Sequence, residues 1–252
     1  MLFDVAGEAY DRFMGLYSVL LSPQLADLAG VAAGQRVIDV GCGPGALTAE
    51  LVARVGAKSV AAVDPSEPFV EAARARNPGV DVRLGAAEEL PFADDSVDAA
   101  LAQLVVHFMA DPAAGVREMA RVTRPAGAVV ACVWDHGGGR GPSSPLWDAA
   151  VVLDPSVGGE AKRAGSQQGD LERLFTDAGL ADVTETALSV SVEHPTFDAW
   201  WEAFTLGVGP AGAYVAGLDP DRQAALREQC LSMLPPAPFV VTAYAWTAVG
   251  RV

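Results

Sequence analysis

Arg36-Val37-Ile38-Asp39-Val40-Gly41-Cys42-Gly43-Pro44-Gly45-Ala46-Leu47 runs from a short apolar stretch straight into three closely spaced glycines. A β-branched run that ends on glycine reads as a buried strand of a parallel sheet. Beyond it, Leu47, Leu51, Val52 and Val55 recur on one helical face. The stretch is therefore strand, tight turn, helix. Glycine, with no Cβ, lets a backbone turn sharply and lie against a ligand. The helix start that follows presents unpaired N–H groups and a positive partial charge.

The same alternation continues downstream. Ser59-Val60-Ala61-Ala62-Val63 predicts a second strand ending at Asp64-Pro65, and Ser66 is placed to cap a helix carrying Phe69, Val70 and Ala73. Val80–Leu84 predicts a third strand. The turn Ala93-Asp94-Asp95 precedes a fourth, from Val97 to about Val105. Asp111-Pro112 opens a helix with cap and proline in preferred places. That helix stops before Pro125-Ala126-Gly127, and Ala128 to Trp134 gives a fifth strand. Strands alternating with helices indicate an α/β fold: a Rossmann-like, doubly wound, mostly parallel sheet covered on both faces.

The flanks are less regular. Phe3, Tyr10, Phe13, Met14, Tyr17, Leu20 and Leu21 give residues 1–33 a helical spacing. After a glycine-rich loop at 136–145, Asp170 is placed to cap a helix stopped by Gly179. Val183 to Glu193 reads as a strand, 196–206 and Asp219 to Leu234 as helices, and Phe239 to Val249 as a closing, antiparallel strand. One domain spanning 1–252 is expected, with an N-terminal helical segment (1–33), a binding core (34–135), and excursions at 136–169 and 195–236 that cap the site.

The 252 residues are 51% hydrophobic and 19% charged, ample for a core and unlike a disordered chain. The formal net charge of −15 should repel a phosphate backbone, which argues against nucleic acid as a partner. Cys42, Cys132 and Cys230 are far apart and show no metal-ligand spacing, so no metal site is expected and a reducing compartment is the natural inference. Asp4, Glu8 and Asp11 replace the basic start of a signal peptide, and no apolar run is long enough for a membrane span. The expected location is cytoplasmic.

The carboxylate of Asp64, at the end of the second strand, can accept both hydroxyls of a ribose, so loop and acid together form a nucleoside site. Gly41, Gly43 and Ala46 also satisfy the looser dinucleotide pattern, which keeps a nicotinamide-dependent oxidoreductase open. Asp39 argues the other way: it sits badly against a pyrophosphate and well near an ammonium.

Val37 through Thr48 resembles motif I of the class I S-adenosylmethionine-dependent methyltransferases. Leu84 through Asp98 resembles the third-strand motif of their subgroup of quinone and other small-molecule methylases, and Arg117 through Gly127 is similar to another element of that subgroup. The resemblance implies S-adenosylmethionine as cofactor and a small molecule as methyl acceptor. It also implies that Gly41, Gly43 and Gly45, with Cys42 between them, lie along the methionine part, with Asp39 near its ammonium. Asp64 would hold the ribose and Pro65 lie by the adenine. Ala86, Ala87 and Glu88 would border the adenine edge, Gln103 approach the methionine backbone, and Tyr10 close over the cofactor. Many members carry Asp where this chain has Ala86, which leaves Glu88 as the substitute. Thr123 and Ala126 also depart from the usual Leu and Gly.

A sulfonium methyl group is attacked in line, and holding the reactants in near-attack geometry supplies much of the catalysis. Tyr10, Phe108 and Trp134 are candidates for cation–π contact with the sulfonium. Where the acceptor must lose a proton, His107, just past the fourth strand, is the candidate general base. His136, in its glycine loop, is expected to be solvated, and His194 to be structural. Trp200, Trp201 and Phe204 are expected in the core, Cys42 as a small side chain under the turn, and Asp94 and Asp95 as turn formers. A non-catalytic S-adenosylmethionine-binding module is the remaining alternative.

Overall fold

Four consecutive buried positions, three aliphatic side chains and the carboxylate Asp39, make β1 (Val37–Val40) the centre of the sheet. It pairs in parallel with β2 (Val60–Asp64) on one side and β4 (Val97–Gln103) on the other. β3 (Asp81–Leu84) extends the sheet beyond β2, and β5 (Thr123–Trp134) lies beyond β4. A computed structural model describes residues 7–252, so Phe3 and Asp4 lie outside the described residues.

The seven strands run in the order β3-β2-β1-β4-β5-β7-β6. β7 (Phe239–Arg251) is antiparallel to both β5 and β6 (Ala181–His194). The sheet is therefore mostly parallel with one reversed C-terminal strand, as expected from the sequence. β6 forms the edge and is polar and largely exposed, which suits an unpaired margin.

Side chains alternate between two apolar layers. Ala99, Leu101, Val130, Cys132 and Trp134 face the layer that holds α2 (Leu16–Leu28) and α3 (Ala46–Val55). Ala100, Ala102, Val129, Ala131 and Val133 face α5 (Pro112–Val122) and α7 (Asp170–Asp177). α4 (Glu67–Arg76) seals a smaller cluster against Ala62 and Val82. The amide of Ala114 is capped by Asp111 as expected. For α7 the N-cap is Gly169, with Asp170 one residue inside the helix.

The helical reading of 1–33 resolves into α1 (Gly7–Tyr10), a π-helical turn at Asp11–Gly15, and α2. The later excursions contain α6 (Ser144–Leu153), α8 (Phe197–Thr205), α9 (Gly209–Ala216) and α10 (Pro220–Met233). α6 and α9 were not expected from the sequence. Trp200, Trp201 and Phe204 are core residues, and His194 accepts its structural role through Tyr17, whose hydroxyl lies 3.0 Å from Nε2. Among the described residues no helix is long and apolar enough to cross a membrane.

Candidate active site

The glycine turn leaves the C-terminal end of β1 with Gly41, Gly43 and Gly45 all at positive φ. Gly41 has no substitute: at φ +70° a Cβ would stand 2.5 Å from both Val105 methyls. Gly43, at φ +53°, has nothing within 4 Å of where a Cβ would be, so its missing side chain leaves open space.

Asp64 braces this turn from β2. Oδ2 accepts the amide of Gly43 and Oδ1 the amide of Ser66, each at 2.8 Å. A carboxylate has about four acceptor positions, so the pair of amides leaves room for two hydroxyl donors. Burial raises the Asp64 pKa, and the two amides oppose the shift. Asp39 is more deeply buried and accepts the Thr48 hydroxyl at 2.6 Å. Burial, reinforced by the charge of Asp64 and opposed by Thr48, pushes its pKa up to about 7.

β4 ends at Gln103. Its Nε2 donates to the Ser18 carbonyl at 3.2 Å, while Oε1 is buried without a partner. Leu104 then adopts φ +63°, a costly conformation for a branched side chain. It turns the chain into a 3-10 turn at Val106–Phe108 that carries His107. Tyr10 comes from the other side: its ring meets Phe69 edge-on at 5.6 Å, and its hydroxyl lies 3.3 Å from Ser18 Oγ. Burial raises the Tyr10 pKa to about 12, so it is a neutral phenol.

These elements wall one continuous cleft with about 990 Å³ of empty space, counted out to its mouth. Tyr10, Gly41, Gly43, Asp64, Pro65, Gln103 and His107 line it. Asp39, Cys42, Gly45, Ala86, Ala87 and Glu88 do not. The Cys42 thiol is buried beneath the turn, donating to the Gly43 carbonyl at 3.5 Å. Burial raises its pKa well above that of an ordinary thiol. Glu88 is committed elsewhere: Oε1 accepts the amides of Ala110 (2.7 Å) and Asp111 (3.2 Å), tying the loop after β3 to the one after β4.

The far half of the cleft is apolar, lined by Phe13, Met14, Phe108, Trp134, Val208 and Ala211. Two further residues there escaped the sequence reading. His136, expected in solvent, is buried against His107 with ring centroids 5.7 Å apart, and Glu160 is buried beside it. Burial holds both histidines below their ordinary pKa, His107 the further of the two. A histidine at the head of a glycine run looks mobile in sequence; the return of the chain at Glu160 places a buried partner beside it.

Residues 38–131 match the family model described as a methyltransferase domain. An uncharacterized methyltransferase of Mycobacterium tuberculosis is 41% identical over 133 residues, 53% of this chain. The chain spans about half the length of that relative, 51%. A demethylmenaquinone methyltransferase of Clavibacter sepedonicus is 33% identical over 234 residues, covering 85% of this chain and 91% of that protein. The chain belongs to the class I S-adenosylmethionine-dependent methyltransferase family. The YcgJ protein of Bacillus superposes with a TM-score of 0.60 at 20% identity, over 93% of this methyltransferase chain and 97% of that one. That likeness shows the shared fold.

Proposed function

We propose that this chain transfers a methyl group from S-adenosylmethionine to a small, largely apolar acceptor held in the far half of the cleft. The carrying observation is the continuity of the cleft: the half walled by Gly41, Gly43, Asp64 and Gln103 opens directly into the half walled by Phe13, Phe108 and Trp134. A site plugged by side chains would favour a sensor; an open acceptor space beside the cofactor half favours an enzyme.

The residue roles follow from chemistry. Asp64 takes the ribose hydroxyls on its two spare acceptor positions, and Pro65 lies by the adenine, with Ala86, Ala87 and Glu88 toward its rim. Gly41, Gly43 and Gly45 form the cradle of the methionine part, Cys42 filling the space below. Gln103 Oε1, buried without a partner, meets the ammonium together with Asp39, the latter through water. Tyr10 closes over the sulfonium. The acceptor nucleophile attacks the methyl carbon as the carbon–sulfur bond breaks, and the bonding pair stays on sulfur. Where the acceptor carries a proton, His107 takes it: the residue lines the cleft and its Nδ1 is buried without a partner.

The chain works as one unit, with 136–169 and 195–236 as the cap: His136, Ser143, Glu160 and Val208 to Ala211 all reach the cleft wall. The net charge of −15 argues against nucleic acid as acceptor, and three free, buried cysteines suit a reducing compartment.

Calorimetry tests this reading. Saturable heat is expected for S-adenosylmethionine and S-adenosylhomocysteine, and none for reduced nicotinamide dinucleotide. Asp64→Ala should weaken both about tenfold or more, from loss of charge-assisted bonds. Tight nicotinamide binding, or affinity unchanged in that variant, would overturn it. A metabolite screen with labelled methyl donor then identifies the acceptor.

A further inference from the structure

We propose that His107, His136 and Glu160 form a site for one divalent first-row transition-metal ion in the acceptor half of the cleft. One donor atom from each lies within 4.8 Å of the others, and all three side chains are buried.

Three observations carry this. First, Nδ1 of His107 and Nε2 of His136 are both buried without a hydrogen-bond partner. Leaving a buried polar atom unpaired costs about 1–3 kcal/mol, and two such atoms side by side in one cavity need a common explanation. Second, Glu160 is oriented as ligating carboxylates are. Its Oε2 accepts from Trp147 Nε1 at 3.0 Å and from Ser143 Oγ at 3.2 Å. Its Oε1 makes no hydrogen bond among the described residues and lies 3.8 Å from His136 Nε2. Hydrogen bonds from outside that fix one oxygen and leave the other free are the usual support of a metal ligand. Third, the three residues come from separate segments: the turn after β4, the end of β5 and the loop after α6. No local pattern brings them together, which is why ligand spacing was not visible in the sequence.

The donor set decides the ion. Two imidazoles and one carboxylate suit zinc, cobalt, iron or manganese and not magnesium or calcium, which prefer all-oxygen shells. Bonds of about 2.0–2.2 Å put donor atoms closer together than they stand here, so the side chains close in on the ion. Three protein ligands leave at least one position open, and all three residues line the cleft. That position takes an oxygen donor of the acceptor. Arg163 stands nearby, its Nε 3.9 Å from Glu160 Oε1, too far for a hydrogen bond, with its guanidinium over the Phe108 ring.

The inference rests on the methyl-transfer reading only for the identity of the acceptor half; it turns His107 from a lone base into a ligand. The test uses the untagged chain stripped with chelator and titrated with Co2+ alone. One ion per chain is expected, with visible ligand-field bands. The chain has three histidines, so proton NMR of the cobalt form should shift ring signals of two and leave His194, outside the cleft lining, unmoved. Glu160→Gln and His136→Ala should each weaken binding at least about tenfold, the lower limit even for an outer partner, while calorimetric binding of S-adenosylmethionine persists. No bands with wild-type protein, or His194 among the shifted rings, overturns the site. If S-adenosylmethionine still binds in that case, the methyl-transfer reading stands; if it does not, that reading falls as well.

Discussion

Asp39 has almost no water around it and a second carboxylate, Asp64, close enough to raise its pKa. With a pKa of about 7 it holds a proton between pH 3.8 and about 7, where the unfolded chain has already lost one. Stability of the ligand-free protein from this group is therefore greatest below 3.8 and declines as pH rises through about 7. An arriving ammonium reverses the preference by favouring the charged form. Binding of S-adenosylmethionine near pH 6 should release close to one proton, and the release should fade toward pH 8. Calorimetry in two buffers of unlike ionisation enthalpy reads this directly; buffer-independent heat at pH 6 would separate Asp39 from the ammonium. The residue scale also explains two of the three departures from the family pattern. The Thr123 hydroxyl is buried but donates to the Met119 carbonyl at 2.7 Å, so it costs little. Ala126 sits at φ +65°, where an L side chain costs about 1–2 kcal/mol and glycine about half of that in entropy. Ala126→Gly should stabilise the protein by about 0.5–1 kcal/mol, a rise of about 1–4 °C in thermal denaturation. Asp64 was legible because its type and its place at a strand end coincide. His136 was not, since its burial depends on a chain segment that returns from far away.

At the scale of elements, all five parallel strands were readable in order, although β5 begins at Thr123 and takes in Pro125-Ala126-Gly127, where a break before Ala128 was expected. A strand buried on both faces leaves a largely apolar run, and β1, β2, β3 and β5 each end on or just before a glycine or an aspartate, whereas β4 runs out through Gln103 and Leu104. α6 and α9 were hidden for the opposite reason. α6 begins Ser144-Pro145 directly after a glycine-rich loop, and α9 begins Gly209-Pro210-Ala211-Gly212-Ala213, with little side chain to set a period. Their helical state comes from tertiary packing, which propensity does not encode. The π-helical turn at Asp11–Gly15 is likewise a product of packing, and such turns concentrate at functional sites. Arg76 of α4 holds it by an ion pair with Asp11, and reaches the Pro44 carbonyl of the glycine loop at 3.4 Å. Both partners are partly exposed, so the pair adds little to global stability. Arg76→Ala should leave the melting temperature within a degree or two yet weaken S-adenosylmethionine binding several-fold and speed amide exchange across Asp11–Gly15. Unchanged exchange there would mean the turn is held by its aromatic contacts alone.

At the scale of the whole molecule, two apolar layers sandwich one sheet, and the cleft opens where β1, β2 and β4 end together. That placement follows from the winding alone, because parallel strands deliver all their C-termini to one side. The position of β7 has a different kind of outcome. It is threaded between β5 and β6 although it follows both in the chain. A nascent polypeptide leaving the ribosome thus exhibits β6 with no paired strand, and β5 with one flank bare, until the segment from Phe239 onward has emerged. Such half-built sheets are sticky. Slow translation through the codons before Phe239 should prolong that hazard, and chaperone capture should peak on intermediates that already contain β6.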